Sequence, residues 1–180
     1  MKKNLLLIAF LATGLMFTND MSAQKFAGLD ASPMDAASYP TSYKESNKMV
    51  KIVYSRPQLK GRSLSELVPN GKVWRTGANE AAEITFYQDV TFGGAAVKAG
   101  TYTLFTIPGD GEWTVILSSA KNVWGSYFYK ESEDVARVKG AVSKSDKSIE
   151  AFSIAFDGTD KNANMYFGFA NTVVTVPVKG

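Results

Sequence analysis

Residues 101–118 read TYTLFTIPGDGEWTVILS. Two runs rich in β-branched and aromatic residues, Tyr102 to Ile107 and Trp113 to Leu117, flank Pro108-Gly109-Asp110-Gly111. Proline presets one turn dihedral, glycine accepts the positive one, and aspartate bonds its own backbone, so the four residues read as a chain reversal between antiparallel strands. Side chains alternate across a strand. Tyr102, Leu104 and Thr106 therefore oppose Thr103, Phe105 and Ile107, and both faces carry apolar groups. A hairpin of that kind is expected at the centre of a fold, covered on both sides.

Working outward, Gly93-Gly94 separates Phe92 from Ala95 and predicts a second, shorter hairpin. Further short runs of Val, Ile, Thr, Phe and Tyr recur between Gly, Pro and Asn, and helical periodicity is scarce. Strands are expected at Met49–Tyr54, Lys72–Arg75, Glu83–Gln88, Val135–Val142, Ile149–Phe156, Asn164–Phe169 and Val173–Val178, besides the hairpin strands. In the later runs Phe152, Ile154 and Phe156 oppose Ser153, Ala155 and Asp157, the pattern of a sheet with one wet face. The fold class is thus all-β, an antiparallel β-sandwich of jelly-roll type. Residues 24–46, poor in long aliphatics and rich in Ser, Ala, Asp and Pro, read as an N-terminal arm, and 47–180 as a single domain.

Residues 1–23 have the form of a cleavable signal peptide. Lys2 and Lys3 precede an apolar centre, Leu5 to Phe17, and Met21-Ser22-Ala23 supplies a small-residue end. The centre is shorter than the roughly 20 residues a bilayer-spanning helix needs, and no later run replaces it, so the mature chain is expected to carry no transmembrane segment. An exported product, periplasmic or secreted, is the expectation. The chain contains no cysteine, although disulfides are permitted outside the cytoplasm, so stability must come from burial. Thiol catalysis, thiolate metal sites and lipid attachment through a junction cysteine are excluded.

Histidine is absent too, which removes the usual neutral-pH base and the commonest transition-metal ligand. Lys and Arg number 20 against 17 Asp and Glu, a net charge of +3, too balanced to argue for nucleic acid. No cofactor is expected. Asp157, Asp160, Asn162 and Asn164 offer oxygen ligands in a turn, but their spacing lacks the glycine and terminal glutamate of a calcium loop; turn formation explains them, and no metal is expected.

Working groups concentrate in 55–80, SRPQLKGRSLSELVPNGKVWRTGANE. Arg56, Arg62, Arg75 and Asn79 there can hold a small anion, a glycan or an envelope polymer through guanidinium forks and an amide, with Trp74 and Glu80 beside them. An internal network in which Arg75 pairs with Glu80 would use the same residues to pin loops. A second candidate is the Gly- and Ser-containing connection that carries Trp124, Tyr127, Phe128 and Tyr129: flat faces shown from a loop suit sugar rings or extended peptides, and buried they would plug one end of the fold. A carboxylate-based glycan hydrolase needs neither histidine nor cysteine, and Glu80, with Glu83, Asp89 or Glu66, is its weak candidate. A purely structural envelope protein is the third reading.

The runs YSRPQLKGRSLSELVPNGKVWRTGANEAAEITF and GGAAVKAGTYTLFTIPGDGEWTVILS, followed by the Trp124-Gly125 loop, resemble the bacterial domain-of-unknown-function family DUF2911. The resemblance spans roughly Ala31 to Val178, and its motifs SRPxxKGR, GKVWRTGANEA and AGTYTLFTIP are long enough to be specific. It implies an exported, single-domain protein and directs attention to Arg56, Arg62, Trp74, Arg75, Asn79 and Glu80. It implies no substrate, cofactor or catalytic residue.

Overall fold

A computed structural model describes residues 25–180; the segment read as a signal peptide lies outside them. The described residues are 55% strand and 4% helix, and every strand pairing among them is antiparallel. The elements are β1 (Met34–Tyr39), β2 (Val50–Ser55), α1 (Leu64–Leu67), β3 (Ala82–Phe86), β4 (Val90–Phe92), β5 (Ala95–Val97), β6 (Gly100–Ile107), β7 (Glu112–Ser118), β8 (Asp134–Thr159) and β9 (Asn162–Lys179). They form one nine-stranded sheet in the order β1-β2-β3-β6-β7-β8-β9-β4-β5.

The 101–118 hairpin, β6–β7, stands in the middle of that sheet. Leu104 pairs with Leu117 and Phe105 with Ile116. Leu104, Leu117, Val115 and Trp113 face the main core, with Ile52, Ile84, Phe152 and Phe169 in the same cluster. Phe105 and Ile116 face the other way, into a smaller cluster with Ala81 that Val73, Val123 and Tyr129 cover. Both faces of β6–β7 are buried, which is why both alternating sets are apolar. The Gly93-Gly94 hairpin forms as expected, with φ of 55° and 95° at the two glycines. A Cβ on Gly93 would lie 2.6 Å from the Val138 side chain, so glycine is required there for approach as well as for turn geometry.

Three expectations are corrected. First, the stretch 24–46 is more than an arm: β1 pairs along its whole length with β2, from Met34 against Ser55 to Tyr39 against Val50. Its composition hid it, because an edge strand is held by backbone hydrogen bonds and Met-Asp-Ala-Ala-Ser-Tyr buries fully only Tyr39. Second, Lys72–Arg75 forms no strand; it shrinks to one bridge, in which Trp74 N–H donates to Thr106 O at 2.7 Å and Thr106 N–H returns the bond at 2.9 Å. That bridge continues the β3 lane beyond Ala82, which pairs with Leu104.

Third, the last four expected strands are two. β8 runs unbroken through the polar Ser143–Ser148 stretch that reads as a turn. Between the pairs Lys144–Thr172 and Ile149–Ala170, β8 advances five residues while β9 advances two. Extra residues on one strand bend a ladder without ending it. Beyond the bend, the far half of the hairpin meets β2: Tyr54 Oη accepts from the Ile154 amide at 2.9 Å, and the Tyr54 and Phe152 rings meet edge to face at 5.6 Å.

Candidate functional site

Three arginines in one segment would make a cationic cleft only if the fold brought them together, and it separates them. Arg56 leaves β2 and binds inside the protein: Nη1 meets Asp35 Oδ2 at 3.0 Å, Nε donates to Phe152 O at 3.0 Å and Nη2 to Ser153 Oγ at 2.7 Å. It ties β1, β2 and β8 together. Arg62 caps its own turn, with Nε on Leu59 O and Nη2 on Gln58 O. Both guanidiniums thus bond to groups of the fold itself.

Arg75 is different. Alternation turns Trp74 and Thr76 inward, where Thr76 Oγ1 donates to Thr106 Oγ1 at 3.2 Å, and so places Arg75 on the outer side with Val73. Among the described residues Arg75 forms no ion pair, and its Nε is buried without a hydrogen-bond partner. The pairing with Glu80 that a closed internal network requires is not made. Glu80 is exposed, its backbone bridged to Trp124.

That bridge joins the two candidate segments. Ala81 N–H donates to Val123 O at 2.8 Å and Gly125 N–H to Asn79 O at 2.9 Å, while Ser126 Oγ donates to Val73 O. Asn79, at φ 59°, makes the bend that presents its carbonyl. The aromatic connection is thereby stapled to the 73–81 segment that carries Arg75. It does not plug the fold: Trp124 is 59% exposed, and Tyr127 and Phe128 are each 76% exposed. Gly125, at φ 69°, lies under Tyr127, and a Cβ there would come 2.5 Å from the ring. Trp74, by contrast, is core, 4.9 Å from Phe152 and 6.3 Å from Trp113 between ring centres.

Tyr129 anchors the platform, and its partners escaped sequence reading. Its ring meets Phe105 edge to face at 5.3 Å, and its hydroxyl donates to Asp134 Oδ2 at 2.7 Å. Arg137 Nη1 reaches both that carboxylate and the Tyr129 oxygen at 2.7 Å. Burial, then the hydrogen bond and charge of Asp134, push the Tyr129 hydroxyl up to about 12, against the opposing pull of Arg137. The available signal was an Asp-x-x-Arg at a strand start, five residues after a tyrosine.

The site is therefore an exposed aromatic platform, fixed by backbone hydrogen bonds to the segment that carries a half-buried cation with an unmet donor. Such a surface can stack flat apolar faces and accept an anion. Among the described residues no three carboxylates gather to hold a metal ion, and no helix is long and apolar enough to cross a membrane.

The fold defines an antiparallel β protein. The family model described as protein of unknown function (DUF2911) matches residues 32–178, and the chain belongs to that family. Neither the curated proteins nor the solved structures gave a match.

Proposed function

We propose that the protein is an exported binding module for an acid-bearing glycan of the cell envelope. One observation carries the reading: Trp124, Tyr127 and Phe128 stand exposed on a loop stapled to the segment that carries Arg75, whose Nε lacks a partner. The aromatic faces stack on sugar rings, Arg75 takes the carboxylate, and Asn79 adds hydrogen bonds. Arg56 and Arg62 stay with the fold. Export rests on Lys2, Lys3 and the apolar run that follows them. The bent half of the β8–β9 hairpin serves as the second layer of a jelly-roll-like sandwich, a reading supported by the Tyr54 contacts with Phe152 and Ile154.

The test is titration with galacturonate oligomers, followed at the Trp124 indole N–H by NMR. Arg75→Ala should weaken binding roughly 10- to 100-fold, as loss of a charged hydrogen bond does, and Trp124→Ala comparably. Variants that bind like the wild type would sink the proposal.

A further inference from the structure

A cavity lies apart from the aromatic platform and shares no lining residue with it. It has a volume of about 790 Å³, within the range of roughly 300–1,000 Å³ that small-molecule sites occupy. Four separate stretches build it: α1 with the residues after it, the β6–β7 turn, the bend of β8, and the facing part of β9. Trp113 and Val68, both buried, belong to its lining. No local motif announces it, because its polar groups sit on separate stretches that meet only through the turn and the bend.

The lining chemistry selects among ligands. Asp110 and Lys144 are its only charged groups, one of each sign, so it has no net charge with which to hold an anion or a cation. A single carboxylate cannot cage a metal ion. Polar groups are too numerous for a purely apolar guest. Asn70 Nδ2 donates to Asp110 Oδ1 at 3.1 Å, leaving Asn70 Oδ1 and Asp110 Oδ2 open to accept. Asn171 Nδ2 is held by Ser145 O at 3.1 Å, which leaves its Oδ1 open, and Lys144 Nζ has no partner among the described residues. Acceptors and donors spaced around a cavity whose lining includes Trp113 match a molecule with many hydroxyls and one less polar face.

We infer that this cavity is a binding site for a short neutral saccharide, one whose ring lies toward Trp113 and whose hydroxyls bond Asn70, Asp110 and Lys144. The β8 bend, where the ladder loses register after Lys144, shapes one wall of the site.

Cellotriose, maltotriose and chitotriose, each titrated to 20 mM and followed by NMR, are the probes. At least one should shift the Trp113 indole N–H and the amides of Asn70 and Lys144, leaving the Trp124 indole unmoved. Asn70→Ala and Lys144→Ala, both at exposed positions and expected to fold, should each weaken that binding roughly 3- to 10-fold, as loss of one hydrogen bond does. Arg75→Ala should leave it unchanged, so the cavity and the platform stand or fall separately. Absence of shifts with all three sugars, shifts centred on Trp124, or equal affinity in the Asn70 and Lys144 variants would each overturn the inference.

Discussion

Arg56 and Arg75 lie on one loop-rich segment and meet opposite fates. Arg56 has a carboxylate, a carbonyl and a hydroxyl waiting on β1 and β8, whereas Arg75 has none and keeps a buried, unmet Nε. The aromatics repeat the contrast: Trp74 is 6% exposed inside a cluster of rings, Trp124 59% exposed on the outer face. Residue type does not separate the partnered, buried groups from the unpartnered or exposed ones here. What separates them is whether distant strands supply a partner.

The contrast makes graded forecasts. Trp74→Ala should be the most damaging change, costing about 3–5 kcal/mol in denaturant melts because a cavity opens among Trp113, Phe152 and Phe169. A loss below about 1 kcal/mol would mean the inner cluster is not what holds the two halves of the sheet together. Arg56→Ala should follow at about 2 kcal/mol, since it strands Asp35 and the Phe152 carbonyl, a figure kept modest by the partial exposure of the pair.

A smaller effect belongs to the platform's anchor. The Tyr129 hydroxyl is held above its ordinary value of 10.0, at about 12. Because the folded value is the higher one, neutral Tyr129 stabilises the fold fully below about pH 10, and that contribution is lost as pH rises from about 10 through about 12. The melting temperature should fall across that window, and less steeply in Tyr129→Phe; parallel curves would remove Tyr129 from the account. Smallest of all, Arg75→Ala should leave stability within about 0.5 kcal/mol or raise it, because only an unmet donor goes. A large loss there would erase the difference between the two arginines.

Much of this was legible in sequence where the cause was local. The 101–118 hairpin, its two buried faces and the Gly93-Gly94 turn follow from alternation and turn chemistry within a few residues. β1 was not legible, since edge pairing is a backbone affair that small side chains neither help nor announce. The continuity of β8 was hidden because a bulge and a loop call for the same Ser, Lys and Asp residues. At the candidate site, polar density grouped three arginines without telling the partnered Arg56 from Arg75: Asp35 and Phe152, which occupy Arg56, lie far off in sequence.

The pairing of Phe92 with Val178 has a kinetic side. β4 and β5 attach to the sheet only through β9, and the rings of Phe152 and Phe169 fill the centre of the core. The early strands can therefore zip locally but cannot finish a core until the ribosome has passed Val178. Such a high contact order predicts slow folding, with β4–β5 the last piece to dock.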